Sequence, residues 1–161
     1  QLSDKEMQEV MMTFQQEQMA KAQAKMKSAG DKNEKEGVEY LAKNKAKEGV
    51  ITTSSGLQYK VVKKGTGKSP KASDTVEVNY VGTLINGKEF DSSYKRGVPA
   101  TFPVTGVIKG WTEALQLMHV GDKFQLVVPS SLAYGPAGAG GMIEPNQTLI
   151  FAVELLGVKS T

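Results

Sequence analysis

From Leu57 onward the apolar positions fall two apart. Leu57-Gln58-Tyr59-Lys60-Val61 and Val76-Glu77-Val78-Asn79-Tyr80-Val81 alternate apolar and polar side chains, the pattern of strands with one buried face. Leu84-Ile85-Asn86-Gly87-Lys88 carries an Asn-Gly turn of the kind that joins hairpin strands. Residues 124–128 and 149–156 complete the strands. One stretch in this half keeps a helical period, with Trp111, Ala114, Leu115 and Met118 on one face. Strands with a single short helix predict an antiparallel α+β domain. The helix must cover one face of a curved sheet, leaving a concavity beside it.

Residues 1–49 have a different period. Ser3 and Glu6 form a capping-box pair, after which Met7, Val10, Met11 and Phe14 make one apolar stripe. Met12, Met19 and Met26 make a second, offset row. From Lys21 to Lys47 the chain turns to Lys, Glu, Ala and Asn, and Gly30 and Gly37 interrupt it. Each glycine costs about 1 kcal/mol in a helix interior, so the pattern allows either a break near Gly30 or a helix running to about Asn44. The methionine-rich face needs cover from a second copy, a client chain, the rest of this chain or a further N-terminal segment. The organisation read from these periods is a helix and linker over 1–49, followed by a compact domain over 50–161.

Charge follows the same division. Residues 1–49 hold nine Lys against nine Asp or Glu, so the formal +3 of the 161-residue chain belongs to the second segment. That excess is too small to indicate nucleic-acid binding. The absence of cysteine excludes disulfides, thiolate metal sites and cysteine nucleophiles. No apolar run approaches the roughly 18 residues of a membrane span. The chain starts at Gln1 without Met and reads as a mature or trimmed piece.

Several catalytic patterns fail on spacing. Gly67-Lys68-Ser69 resembles the end of a phosphate-binding loop, but the required first glycine falls on Val62, so a turn is expected. Gly138 to Gly141 reads as a flexible loop with no Lys or Ser/Thr to hold a nucleotide. His119, the only histidine, lies in a turn without a nucleophile elbow. One histidine makes a metal site improbable. Lys60, Lys63, Lys64, Lys68 and Lys71 read as a solvated hairpin rather than a polyanion or membrane contact.

What remains is aromatic: Tyr80, Phe90, Phe102, Trp111, Tyr134 and Phe151, from different elements of one domain. Asp91 stands beside Phe90, with Arg96 close enough in sequence to pair with it. By composition alone this is an aromatic core with a surface ion pair. Specific strings shift the balance: Val78-Asn79-Tyr80-Val81-Gly82, Gly87-Lys88-Glu89-Phe90-Asp91-Ser92-Ser93, Val107-Ile108-Lys109-Gly110-Trp111, Leu132-Ala133-Tyr134-Gly135 and the run over 148–156. In this order, over residues 56–158, they closely resemble the FK506-binding (FKBP) family of peptidyl-prolyl isomerases. The helix wording Gln18-Met19-Ala20-Lys21 and the stretch over 110–118 further resemble its bacterial macrophage infectivity potentiator (Mip) subgroup.

The resemblance implies an antiparallel half-barrel sheet wrapped around one short helix, preceded by a long N-terminal helix. It implies Trp111 as pocket floor, Tyr80, Phe90, Phe102 and Phe151 as walls, and Val107 and Ile108 as rim, the Ile108 N–H receiving a substrate carbonyl. Tyr134 and Ile143 would come from a closing loop. Asp91, oriented by Arg96 and the Tyr80 hydroxyl, would be the polar group inside, with Asp91 and Tyr134 as the catalytic pair. Ala100 and Ala139 depart from the small single-domain members, where an aromatic and a histidine stand, so the pocket should be more open on one side.

The implied activity is rotation of Xaa-Pro bonds without cofactor or metal, in aid of protein folding and, in some members, host infection. A peptide-binding chaperone with little turnover is the alternative. Implied partners are proline-containing polypeptides and FK506- or rapamycin-type inhibitors, with no nucleic acid. The full-length form is expected to dimerise through N-terminal helices, this chain to be monomeric, and the location to be the bacterial periplasm or outer-membrane surface.

Overall fold

The computed structural model describes residues 4–139 and 143–159, without the side chain of Met26. Ser3 of the expected capping box and Gly140 and Gly141 of the glycine loop lie outside the described residues. A single helix, α1 (Asp4–Lys45), opens the chain and runs unbroken through Gly30 and Gly37. The strands and short helices follow as β1 (Val50–Thr52), β2 (Gln58–Lys63), β3 (Thr75–Leu84), β4 (Glu89–Ser92), α2 (Ser93–Arg96), β5 (Ala100–Pro103), α3 (Lys109–Leu117), β6 (Lys123–Val128) and β7 (Leu149–Lys159).

Every strand pairing is antiparallel, in the order β1-β2-β6-β7-β3-β4, with β5 also pairing β3. The long strand β3 organises the far edge. Its first half pairs with β5 and its second half with β4, while β7 runs along its other side. Alternation sends Val76, Val78, Tyr80 and Leu84 inward from β3, and Leu149, Phe151, Val153 and Leu155 inward from β7. Opposite them α3 buries Trp111, Ala114 and Leu115, with Met118 at its end, the face that the helical spacing predicts. This is the expected α+β arrangement: an open antiparallel sheet curved around one helix, with a long helix before it.

Beyond the long alternating runs, β1, β4, β5 and α2 are additions. Each is three or four residues long, too short for a period to show. The turn α2 is made by its ends: the Ser92 hydroxyl accepts from Lys95 N, and Gly97 closes it with φ +75°. The Asn-Gly turn forms as expected, with Gly87 at φ +90° and the Asn86 side chain accepting from Lys88 N at 2.9 Å. Gly67-Lys68-Ser69 is a turn laid against the segment after α3, tied by Gly67 N to Val120 O and Val120 N to Lys68 O, both 3.0 Å.

The two glycines of α1 are packing positions, not weak points. Gly30, Asn33, Gly37 and Asn44 recur at spacings of three, four and seven, and all four are buried on one face. A Cβ at Gly37 would fall inside contact distance of the buried Thr148 side chain. Further along, Asn44 Nδ2 donates to Gln58 Oε1 (2.8 Å) and Gln58 Nε2 donates to the Leu41 carbonyl (2.9 Å). Thus Gln58, a polar position of the β2 alternation, is covered by α1. The first part of α1 makes no such contact among the described residues: Met7, Val10, Met11, Met12, Phe14 and Met19 are each at least half exposed, so the described part of the domain is not their cover.

Gly37→Ala raises helix propensity by about 1 kcal/mol but forces overpacking worth about 1–3 kcal/mol against Thr148. The expected outcome is faster proteolytic cleavage within residues 28–45, with the thermal transition of the sheet unchanged. Slower cleavage would mean that α1 does not need close approach at this point.

Candidate active site

The concavity between α3 and the sheet is a cavity of about 420 Å³. Its floor is the Trp111 ring, at the first turn of α3. Three rings meet this floor edge to face: Tyr80 at 5.0 Å and 88°, Phe151 at 5.2 Å and 83°, and Phe102 at 5.7 Å and 88° between centroids. Phe90 stands against Phe151 in the same manner, at 5.6 Å and 84°. The indole Nε1 is buried and has no hydrogen-bond partner among the described residues. The surface offered to a ligand at the floor is therefore apolar.

Strand β3 permits this packing at one residue. Gly82 lies opposite Phe151 in the β3–β7 register, and a Cβ there would stand 2.7 Å from Phe90 Cζ and 2.9 Å from Phe151 Cε1. Both walls rest on bare backbone.

One wall is polar. Tyr80 Oη donates to Asp91 Oδ2 at 2.5 Å, Arg96 Nη1 donates to Asp91 Oδ1 at 2.7 Å, and Arg96 Nη2 donates to Tyr80 Oη at 2.9 Å. The guanidinium also lies 5.5 Å from the Tyr80 ring centroid. The turn α2 brings Arg96 back over the strand, which closes the trio. Burial alone would push the Asp91 carboxyl up. The hydrogen bonds from Tyr80 and Arg96, with the guanidinium charge, outweigh it and hold the group below the usual carboxylate range. Burial, then the Asp91 hydrogen bond, raises Tyr80 above the usual phenol value. The hydrogen bonds of Arg96 to Tyr80 and Asp91 raise the guanidinium further. At neutral pH the wall thus carries a fixed carboxylate whose negative charge is shared with two donors.

The rim comes from Gly106, Val107 and Ile108, ahead of α3. The Ile108 carbonyl starts the helix, accepting from Trp111 N and Thr112 N at 3.0 and 3.1 Å, while its own N–H has no acceptor among the described residues. Across the mouth stands Tyr134, less than half exposed. Of the residues expected at the site, Tyr80, Phe90, Asp91, Phe102, Val107, Ile108, Trp111, Tyr134 and Phe151 line the cavity, and Arg96 touches it through Asp91. Ile143 does not line it. That residue is buried in the core, bridged to Ala139 by two backbone hydrogen bonds of 2.9 and 3.1 Å. Ala100 and Ala139 also pack at the margin of the core rather than lining the cavity. Gly106 is a lining residue with no sequence signal, since it contributes backbone alone.

Other candidates resolve into structure. His119 N donates to Asp122 Oδ2 at 2.8 Å, and the buried Asp122 carboxylate also accepts from Gly65 N, so the pair secures a turn. Among the described residues no group of three or more His, Asp or Glu side chains could hold a metal ion.

Compared with known proteins, residues 66–156 match the model for FKBP-type peptidyl-prolyl cis-trans isomerase, and residues 1–61 match that of the domain amino terminal to it. The chain is 49% identical to the outer membrane protein MIP of Legionella longbeachae, over 98% of this chain and 68% of that protein. It is 52% identical to the FKBP-type peptidyl-prolyl cis-trans isomerase FkpA of Escherichia coli K12, over 98% of this chain and 58% of that one. The chain thus spans 68% of the length of the first of these relatives and 58% of the second. The crystal structure of FkpA from Escherichia coli superposes with a TM-score of 0.93 at 52% identity, covering 99% of this chain and 75% of that one.

Two outcomes follow from the geometry. Gly82→Ala should displace Phe90 and Phe151 and weaken ligand binding in the cavity at least tenfold, the equivalent of about 1.4 kcal/mol; fluorescence of Trp111, the only tryptophan, reports it. The stability contributed by the Asp91–Tyr80–Arg96 trio should be constant between about pH 4 and about pH 10. It is lost as pH falls through the lowered Asp91 pKa, because the unfolded carboxyl takes up its proton first, and as pH rises through the raised Tyr80 pKa. Urea midpoints against pH should therefore drop less steeply below pH 4 in Asp91→Asn than in the unaltered protein.

Proposed function

The chain belongs to the FKBP-type peptidyl-prolyl cis-trans isomerases, and on that premise we propose that the cavity over Trp111 takes the prolyl ring of a polypeptide and speeds rotation of the preceding amide. The observation that carries this reading is the perpendicular seating of Tyr80, Phe102 and Phe151 around Trp111, with a fixed carboxylate in the wall.

Rotation about an Xaa-Pro bond costs roughly 20 kcal/mol because amide resonance must be broken. In the twisted state the carbonyl is less polar than in the planar one. Water stabilises the planar dipole more, so transfer to an apolar cavity favours the twisted form. Each 1.36 kcal/mol or so of such preference is tenfold in rate. The prolyl ring brings no donor that the floor would leave unsatisfied. The free Ile108 N–H is placed to receive a substrate carbonyl, and Asp91 and the Tyr134 hydroxyl act as electrostatic and hydrogen-bonding supports. No proton moves and no covalent bond forms.

In this reading residues 1–49 are a helical extension and 50–161 the isomerase domain. Substrates are proline-containing polypeptides, and FK506- or rapamycin-type macrolides compete for the cavity. The exposed methionine-rich first part of α1 supports a holding function beside the catalytic one, for a client chain or for the same helix of a second copy in the longer protein. A bacterial periplasmic or outer-membrane-surface location is supported by the naming of one relative as an outer membrane protein. Among the described residues no helix is long and apolar enough to cross a membrane.

Isomerisation of a short Xaa-Pro peptide, followed by NMR exchange, tests the proposal. The unaltered protein should accelerate it and FK506 should abolish the effect. Asp91→Leu should lower kcat/KM about tenfold and Tyr134→Phe about threefold, on the basis of one lost polar contact each. No acceleration by a folded protein that still binds FK506 would leave the holding function as the leading account.

A further inference from the structure

Three residues that disfavour a helix interior, Gly30, Asn33 and Gly37, sit on one face of α1, and all meet one turn of the domain, Pro145 to Thr148. Asn33, itself buried, donates through Nδ2 to the Pro145 carbonyl at 3.0 Å. Asn146 Nδ2 reaches the Gly30 carbonyl at 3.4 Å, and a Cβ on Gly30 would stand 3.2 Å from that nitrogen and 3.3 Å from Pro145 Cβ. Asn146 is also the one non-glycine residue with positive φ among the described residues, at +58°. This is a conformation that asparagine tolerates better than most residues.

The other side of Asn146 points to the cavity. Its backbone N–H donates to the Gly135 carbonyl at 2.9 Å, and Gly135 directly follows Tyr134. Gln147 Oε1 braces the turn by accepting from Glu144 N at 2.8 Å. A continuous set of hydrogen bonds therefore runs from the Asn33 and Gly30 positions of α1, through Pro145 and Asn146, to the carbonyl of Gly135, the residue after Tyr134. Two glycines and a buried asparagine cost α1 helical stability. What they give is a fixed seat for this turn.

We propose that Asn33 and Asn146 are positioning residues for Tyr134, so that α1 forms part of the isomerase site rather than a tether to it. The proposal rests on the reading of Tyr134 as a support for the twisted amide. Held in its left-handed conformation and latched to α1, Asn146 fixes the carbonyl of Gly135, the residue next to Tyr134 at the cavity mouth. Loss of the latch leaves the aromatic floor and the Asp91 wall intact, so substrate still binds, but the hydroxyl is no longer held where it acts.

The test uses the full chain and two variants that keep the backbone compatible. Asn33→Asp replaces the donor with an oxygen of equal size, and Asn146→Gly keeps the positive φ while removing the side chain. Each should lower kcat by up to about threefold, no more than Tyr134→Phe does, with KM within about twofold, and should cause no further loss in a Tyr134→Phe background, because the two changes disable one function. Equal losses in both backgrounds would overturn the proposal, since a structural defect acts regardless of the Tyr134 hydroxyl. Amide hydrogen exchange supplies a readout independent of turnover. The Asn146 N–H should exchange at least about tenfold faster in Asn33→Asp. If Tyr134→Phe alone leaves kcat unchanged, the reading of Tyr134 fails and with it any catalytic effect of the latch. Unchanged exchange at Asn146 in both variants would show that no latch exists, even where Tyr134 matters.

Discussion

A nine-residue helix laid on the concave face of a single sheet can cover only part of it, and Trp111 sits where the cover runs out. One side of its indole is packed by α3 and the sheet, and the other faces the cavity. Three neighbouring rings approach it nearly perpendicular, which satisfies the quadrupoles of all four and prevents the cavity from collapsing onto the floor. Much of the domain serves this geometry. Strands β3 and β7 supply Tyr80 and Phe151 from neighbouring positions two residues apart in register, β5 adds Phe102, and Gly82 removes the side chain that would push the walls apart. A cavity lined this way is rigid without being polar, as a transition state less polar than its ground state requires.

The polar wall depends on the same strands. Tyr80 packs its ring on Trp111 while its hydroxyl holds Asp91, so one residue joins the apolar floor to the carboxylate. Burial alone would push the carboxylate toward protonation, and the Tyr80 and Arg96 hydrogen bonds together with the guanidinium charge outweigh it. The charge therefore stays in place across the neutral range at the edge of an apolar cavity, where a fixed field acts with less screening than in water. Arg96 and Asp91 are both well exposed on their outer sides, so the pair is a device of orientation more than of stability.

The sequence made the sheet legible where alternation ran for five residues or more, as in residues 57–61 and 76–81, because a buried face must repeat every second residue. It made Asp91 and Arg96 a plausible pair but could not show that Tyr80 completes them. Joining positions 80, 91 and 96 requires the β3–β4 register and the single turn of α2, and neither carries a periodic signal. The cavity roster came from resemblance, and one of its members, Ile143, is buried in the core without lining the cavity. Gly30 and Gly37 show the opposite failure. Propensity marks them as weak points, yet close approach to the turn at Pro145 to Thr148 requires them, and packing of this kind is invisible without the partner surface.

The docking face of α1 explains why this helix differs from an ordinary amphipathic one. Glycines and asparagines, not leucines, make its contact with the domain, so the contact rests on hydrogen bonds that contribute about 0.5–1.5 kcal/mol each and on close approach. Such a contact fixes geometry strongly and binds weakly. The apolar residues lie instead on the first part of the same helix, exposed, and separated from the seated part by no break. The N-terminal family model likewise continues through residue 61, past β1 and into β2, so helix and sheet edge match as one unit. The helix thus offers an exposed apolar surface at one end and is seated at the other, by directional bonds, on the turn whose Asn146 holds the carbonyl of Gly135. A cover on the methionines would therefore bear on the same unbroken helix that is hydrogen-bonded to the turn behind Tyr134.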